Sequence, residues 1–269
     1  MQNKVVMITG ASSGIGKALA EKFASEGWNL VLAARRTDRL NELEKALNNV
    51  EVLSVKTDVT KEEDCKNLIE SAIQKFGRID VLINNAGISM RASFEDVELD
   101  VLRQLMDVNY WGTVYCTKYA LAHLIKQRGS LVGVISIGGY IGLPGRTGYS
   151  ASKFAVRGFL DTIRVEYFKS GLHVLVAAPG FTATEIRKNA LMSDGSKQGL
   201  TPRNEKKMMT AEDCAEHIYK AILRRRRKII LTFWEGKATV LVAKLWADLV
   251  DRASYYLFAR EPDSPLKKY

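Results

Sequence analysis

The stretch that decides the fold is Thr9-Gly10-Ala11-Ser12-Ser13-Gly14-Ile15-Gly16. It joins an apolar run, Val5-Val6-Met7-Ile8, to a segment over 15–26 in which Ile15, Leu19 and Phe23 recur four apart, as on one face of a helix. Glycines let the backbone turn tightly and approach a pyrophosphate. The N-terminus of the following helix adds N–H donors and the positive end of its dipole. The spacing is G-x-x-x-G-x-G rather than the more familiar G-x-G-x-x-G, and glycines also serve ordinary turns. What gives this turn weight is its position, directly after the first strand and opening a helix.

Working outward, the alternation continues. Residues 29–34 form a second apolar run, and Asp38 can cap a helix to about residue 48. A strand follows over 50–55, and Thr60 with Glu63 three residues on suggests a capping box. The pattern predicts strands over 79–83, 131–136 and 173–178, with long helices over 107–127 and 148–170, the latter stopped by Gly171. After Pro179-Gly180 the periodicity is lost until a helix near Ala211 and a last strand over 228–233. Uniformly apolar strands alternating with helices predict an α/β fold, a doubly wound parallel sheet covered on both faces. No repeat or linker divides the chain. The expected organisation is one catalytic domain over 1–236, including a lid over about 184–209, and a C-terminal amphipathic helical extension over 237–269.

Composition limits the function classes. The chain has 269 residues, 46% hydrophobic and 26% charged, which is ordinary for a globular protein. Its net charge is +10, and residues 201–269 hold 15 Lys and Arg against 9 Asp and Glu, a net of +6. That excess centres on Arg224, Arg225, Arg226, Arg227 and Lys228, which reads as a solvated helix end favoured by the helix dipole. No nucleic-acid module or aromatic interleaving accompanies it, so nucleic acid is not an expected partner. Cys65, Cys116 and Cys214 and the three histidines have neither disulfide nor metal spacing, so no metal is expected and a cytoplasmic setting is. Neither a signal segment nor a run of about 18 apolar residues is visible.

Three further features carry chemistry. The second strand ends Leu32-Ala33-Ala34-Arg35-Arg36, with no acid to bind the ribose hydroxyls of NAD. Arg35 and Arg36 suit a 2′-phosphate, which favours NADP(H) over NAD(H). Tyr149 and Lys153 lie four apart and so share one helix face, where an ammonium beside a phenol favours the phenolate. Ser136 stands at the end of a strand thirteen residues before Tyr149, on the sheet edge where ligands of such folds bind. Each of these also has an ordinary structural explanation. Their order along the chain, together with the nucleotide turn, is what is specific.

Taken together, Thr9-Gly-x-x-x-Gly14-x-Gly16, Asp58, Asn84-Asn85-Ala86-Gly87, Asn109, Ser136, Tyr149-x-x-x-Lys153 and Pro179-Gly180 resemble the short-chain dehydrogenase/reductase family, whose fold is Rossmann-type, over about residues 4–184. The resemblance implies a catalytic set of Asn109, Ser136, Tyr149 and Lys153. Tyr149 would be the general acid in reduction and the base in oxidation. Lys153 would bind the nicotinamide ribose and lower the Tyr149 pKa. Ser136 would polarise the substrate oxygen, and Asn109 would hold a proton-relay water. Gly10, Ser12, Ser13, Gly14, Ile15 and Gly16 would cradle the dinucleotide. Asp58 and Val59 would contact adenine, and Asn85, Ala86 and Gly87 would line the adenosine side. Pro179, Gly180, Thr182 and Thr184 would hold the carboxamide and pyrophosphate. A homodimer or homotetramer through the two long helices is also implied.

The expected activity is NADP(H)-dependent interconversion of a ketone or aldehyde with an alcohol by hydride transfer. Ile186, Leu191, Met192, Leu200, Met208 and Met209 in the lid suit a lipophilic substrate, as do Ile137, Tyr140, Ile141 and Leu143. One alternative is a 3-oxoacyl-thioester reductase acting on acyl carrier protein or CoA substrates, with the basic run as a carrier surface. Another is a non-catalytic NADP(H)-binding sensor or scaffold, which retention of all four catalytic residues opposes. Residues 239–258 are expected to form one helix with Val242, Leu245, Trp246, Leu249, Val250 and Ala253 on one face. Such a helix can dock on a membrane surface, on a partner subunit or on its own domain.

Overall fold

The chain builds one seven-stranded, wholly parallel sheet in the order β3-β2-β1-β4-β5-β6-β7. The computed structural model describes residues 4–201, 205 and 208–267, so parts of the 184–209 lid and the 237–269 extension lie outside the described residues. The strands are β1 (Val5–Thr9), β2 (Asn29–Ala34), β3 (Val52–Lys56), β4 (Val81–Asn84), β5 (Ser130–Val134), β6 (His173–Ala178) and β7 (Lys228–Ile230). All but β3 and β7 are buried along their whole length, because helices cover both faces. The order reverses between β1 and β4, so a crevice opens beyond their C-terminal ends.

The helices are α1 (Gly14–Ser25), α2 (Thr37–Ala46), α3 (Glu62–Phe76), α4 (Leu99–Met106), α5 (Gly112–Lys126), α6 (Thr147–Glu166), α7 (Ala211–Leu223), α8 (Thr239–Leu245) and α9 (Ala247–Ala259). On one face α1 and α7 lay Leu19, Phe23, Ile218 and Ile222 against Ile8, Leu30 and Leu32. On the other, α3, α5 and α6 bury Leu68, Leu124 and Leu160 against Met7, Leu82 and Leu131. A third cluster lies beyond the sheet edge, where Met90, Leu105, Leu143, Tyr149, Leu191, Val250 and Phe258 converge from α4, α6, the lid and α9.

Several boundaries differ from the sequence reading. The helix expected over 107–127 begins eight residues earlier as α4 and reaches α5 through a π-turn, Asp107–Trp111, that carries Asn109. The capping box at Thr60 does not form. Thr60 instead donates its backbone and hydroxyl hydrogens to Asp58, at 3.1 and 2.9 Å, and α3 starts at Glu62 after Lys61. Helix α6 ends at Glu166, and a short 3₁₀ turn fills the gap to Gly171. The run Arg224–Arg227 caps α7 and leads into β7. There Arg225 donates to the carbonyls of Arg128 and Gly171, next to the N-terminal ends of β5 and β6.

The extension departs most. The single helix expected over 239–258 is broken at Trp246 into α8 and α9. The expected apolar face is only partly buried. Leu245, Trp246 and Leu249 are 60–66% exposed, whereas Val240, Val250 and Phe258 are buried. The break rotates α9 so that Val250 and Phe258 reach the cluster around Tyr149. The segment after α9 then folds back. Arg91 donates to the carbonyl of Pro262, and Glu261 pairs with Arg91 at 3.6 Å and Arg146 at 3.8 Å, all three side chains largely buried. No helix among the described residues is long and apolar enough to cross a membrane.

Candidate active site

The glycine-rich turn is shaped by contacts that side chains would obstruct. Gly10 has φ +67°, and a Cβ on Gly16 would sit 2.3 Å from the Gly10 carbonyl oxygen and 2.6 Å from Asn85 Nδ2. Asn85 closes the turn from the β4 side, its amide donating to the Thr9 and Gly10 carbonyls at 3.0 and 3.3 Å. Thr9 Oγ1 accepts from the backbone N–H groups of Asn85 and Ala86. Ser13 stands at the N-cap of α1, yet no side chain caps the first turn. The N–H groups of that first turn, left without a side-chain partner, suit an anion.

Ser136 lies two residues past the end of β5, not within it. It caps a 3₁₀ turn, Ile137–Gly139, and accepts from the Gly138 N–H at 3.2 Å. Tyr149 and Lys153 project from the first turns of α6. Asn109 ties α6 to the neighbouring elements. Its amide donates to Ser152 Oγ at 2.8 Å and to the Ile88 carbonyl at 3.0 Å, while its oxygen accepts from Ile88 N–H at 2.9 Å. A Cβ on Gly87 would lie 3.0 Å from Asn109 Oδ1 and 3.2 Å from Lys153 Nζ, so these groups converge. Asn109 is therefore seated beside Lys153 but is itself outside the open cleft.

That cleft is lined by Asn85, Gly87, Ser136, Tyr149, Lys153, Pro179, Gly180, Thr182 and Thr184 among others, and holds about 820 Å³ of space, part of it open to solvent. Its apolar wall includes Ile137, Leu143, Phe181 and Ile186. Tyr140, expected there, instead packs under the Arg157 guanidinium at 4.0 Å. Of the other expected lid residues, Leu191 bridges to the loop after β4, bonding Ser89 and Arg91, and Leu200 is exposed. None of the lid methionines borders the cleft.

Electrostatically the site is dominated by burial. Burial pushes the Tyr149 phenol above its ordinary range, opposed by a hydrogen bond with Ser136 and by the Arg146 charge. Burial also drives Lys153 down from 10.5 to about 8. Its Nζ donates to the Val134 carbonyl at 3.0 Å and stands 5.9 Å from the Tyr149 ring centre, and no carboxylate pairs with it among the described residues. In the chain without cofactor, burial is the dominant influence on both groups.

The remaining predicted residues do not line the catalytic cleft. Val59 is buried, and its side chain lies against α5 at Gly112. Asp58 is engaged in its own turn with Thr60, and its N–H donates to Asp64. Arg35 is exposed, while Arg36 is held by the nucleotide turn, donating to Ser12 Oγ at 3.0 Å and Ser13 Oγ at 2.8 Å. Sequence reasoning missed Arg39, Arg146, Ser152 and Glu185. Arg39 stands one helical turn after Arg36, a periodicity visible in the sequence. Nothing local marks Ser152 or Glu185, whose roles depend on distant elements.

Comparison with known proteins agrees with this geometry. A family model described as short chain dehydrogenase matches residues 4–194. The chain is 36% identical over 272 residues to an 11-beta-hydroxysteroid dehydrogenase A of Arachis hypogaea, covering 97% of this chain and 77% of that one. Among solved structures, an alcohol dehydrogenase from Thermococcus sibiricus complexed with 5-hydroxy-NADP superposes with a TM-score of 0.74 at 28% identity, covering 85% of this chain and 95% of that one. A short chain dehydrogenase/reductase from Burkholderia phymatum in complex with NAD shares the fold, with a TM-score of 0.80 at 24% identity over 94% of this chain and 95% of that one. The protein belongs to the short-chain dehydrogenase family. It is a nucleotide-dependent oxidoreductase acting on CH–OH groups.

Proposed function

We propose that this protein is an NADP(H)-dependent oxidoreductase that interconverts a lipophilic ketone or aldehyde with the corresponding alcohol, using Tyr149 as general acid and base. The observation that carries this reading is the convergence of Ser136, Tyr149 and Lys153 in one cleft at the C-terminal edge of the sheet. The donor set suits a dinucleotide: the uncapped first turn of α1, the close Gly10–Gly16 approach and a buried lysine with no carboxylate partner among the described residues. Gly10, Ser12, Ser13, Gly14, Ile15 and Gly16 would hold the pyrophosphate side. Lys153 would hold the nicotinamide ribose, and Pro179, Gly180, Thr182 and Thr184 the carboxamide end. Asn85, Ala86, Gly87, Asp58 and Val59 would border the adenosine. When bound, the cofactor supplies the hydride.

The chain's own residues then handle the oxygen and the proton. Ser136 and Tyr149 line the same cleft, so one carbonyl oxygen there can accept from both hydroxyls. Tyr149 gives up its proton to that oxygen as negative charge develops on it. A phenol held above its ordinary pKa is reliably protonated beforehand, which suits reduction. Once the phenolate forms, the Lys153 ammonium, 5.9 Å from the Tyr149 ring centre, and the Arg146 guanidinium are positive charges that favour it. Asn109 keeps α6 in register with the loop after β4 and so fixes both side chains.

NADP(H) is favoured by the Arg36 guanidinium, anchored on the nucleotide turn, with Arg39 beside it. A lipophilic substrate is favoured by the Ile137, Leu143, Phe181 and Ile186 wall, and the similarity to a hydroxysteroid dehydrogenase points to a fused-ring alcohol or ketone. The thioester-reductase alternative loses its carrier surface, because the Arg224–Lys228 run borders the N-terminal sheet edge, opposite the cleft. The test is NADPH consumption with fused-ring and aliphatic ketones by wild type and Tyr149→Phe.

Two associations complete the reading. Trp234, Leu241, Leu245, Trp246, Leu249 and Tyr256 are all at least 60% exposed, with Lys237, Lys244 and Arg252 on the same extension. That combination suits peripheral docking on an anionic bilayer from the cytoplasmic side. Trp111, Phe154, Val165 and Phe168 leave apolar surface on or beside α5 and α6 for a homodimer or homotetramer. Vesicle co-sedimentation of the Trp234→Ala/Trp246→Ala double variant and light scattering of wild type check the two.

A further inference from the structure

The lid carries a carboxylate into the cationic rim of the nucleotide turn. Glu185 accepts from Arg39 at 2.9 and 3.2 Å through both oxygens and from Arg36 at 3.3 Å. These arginines hold its carboxyl below the usual carboxylate range, Arg39 most strongly. Arg36 has its other nitrogens on Ser12 and Ser13, so the guanidinium is fixed to the turn that would cradle a pyrophosphate. Thr184, the residue before Glu185, lies against Gly14 of the same turn. A second cleft runs past this point, lined by Ser12, Ser13, Lys17, Arg39, Thr184 and Glu185.

The arrangement is a carboxylate standing among two guanidinium groups and two serine hydroxyls, which is the donor set of a phosphate monoester site. Two arginines and one carboxylate sum to about +1. A phosphate monoester carries close to −2 at neutral pH. If both anions stayed, the cluster would be left about −1, with like charges sharing donors. If Glu185 withdrew, the cluster would be near neutral. A dinucleotide that lacks the phosphate presents no such conflict.

We propose that Glu185 is a cofactor-discriminating residue and a latch for the lid. It competes with the adenosine 2′-phosphate of NADP(H) for Arg36 and Arg39. Phosphate binding therefore frees the start of the lid from the α2 edge, whereas an unphosphorylated dinucleotide leaves it attached. This rests on the reading of the chain as NADP(H)-dependent. Arg39 thereby becomes the second phosphate partner in place of the exposed Arg35, and occupancy of the adenosine end is coupled to the Thr184–Ile186 segment that borders the catalytic cleft.

The test uses the full-length protein as wild type, Glu185→Gln and Arg36→Ala/Arg39→Ala, with NADPH and NADH binding read by cofactor fluorescence. Glu185→Gln keeps size and polarity but removes the competing charge. It should tighten NADPH by about three- to tenfold, the scale of a partly exposed ion pair, and move NADH less than about twofold. Hydrogen exchange over 184–191 in wild type should be faster with NADP⁺ than with NAD⁺. If Glu185→Gln leaves NADPH unchanged or weakens it, the competition is refuted. If it weakens NADH selectively, Glu185 is a ribose-hydroxyl acceptor and the latch is overturned. The double arginine variant separates the premise from the inference. Selective loss of NADPH upholds the NADP(H) reading even if the latch fails, whereas equal loss of both cofactors removes that reading and the latch with it.

Discussion

Replacing Lys153 with Met should stabilise the cofactor-free protein while disabling it. Lys153 is 4% exposed, and its folded pKa is about 8 against 10.5. A lysine whose folded pKa lies below its unfolded one costs stability. The full cost holds below the folded pKa and fades as pH rises toward the unfolded pKa. A drop of about 2.5 units corresponds to roughly 3 kcal/mol at about pH 7. Methionine fills similar volume without charge, but the hydrogen bond to the Val134 carbonyl is lost, worth about 1 kcal/mol. The net gain is about 2 kcal/mol, or roughly 4–8 °C in Tm for a chain of this size. The difference between variant and wild type should shrink by more than half by about pH 9.5, where the folded lysine is mostly neutral already. Urea unfolding of both proteins at the two pH values reads this directly. A Lys153→Met protein less stable than wild type near neutrality, or a difference indifferent to pH, would refute the claim that burial strains this lysine.

Other consequences are simpler to state. Tyr149→Phe keeps the ring in its apolar cluster but removes the proton donor, so turnover should fall roughly a hundred- to ten-thousandfold with NADPH affinity nearly unchanged, as rapid kinetics and fluorescence titration would show. Gly16→Ala would force a Cβ to within 2.3 Å of the Gly10 carbonyl, and calorimetry should register a loss of more than about 2 kcal/mol together with weakened dinucleotide binding. Asn109→Ala leaves the Ile88 backbone and Ser152 without their partner in a buried site, costing about 2–3 kcal/mol in chemical denaturation and lowering kcat more than it raises KM.

Much of this molecule is written locally. The βα unit from Val5 through Gly16, the uniformly apolar strands and the four-residue offset of Tyr149 from Lys153 depend on periodicity and turn chemistry within a few residues, and such signals survive in a single sequence. Features that depend on distant partners do not. The break at Trp246 has no proline or glycine to announce it, and it rotates Val250 and Phe258 toward Tyr149, over ninety residues away. The π-turn holding Asn109 has no sequence mark either. Arg36 stands out in the sequence as a candidate because it follows a strand with no acid at its end, whereas Glu185 sits 149 residues from it and becomes visible only when the lid folds across the turn. The burial of Tyr149 is hidden in the sequence for a related reason. Adjacency to Lys153 is visible in the sequence, but the burial is a property of the assembled site.

The central claim is that the cleft holding Ser136, Tyr149 and Lys153 reduces a lipophilic carbonyl at the expense of NADPH. Following nicotinamide absorbance with a fused-ring ketone, for wild type and Tyr149→Phe under NADPH and NADH, tests it most directly. The account predicts steady NADPH consumption by wild type, much slower consumption of NADH, and near silence from the variant despite unimpaired NADPH binding. Consumption that persists in Tyr149→Phe, or that runs equally well on NADH, would contradict it.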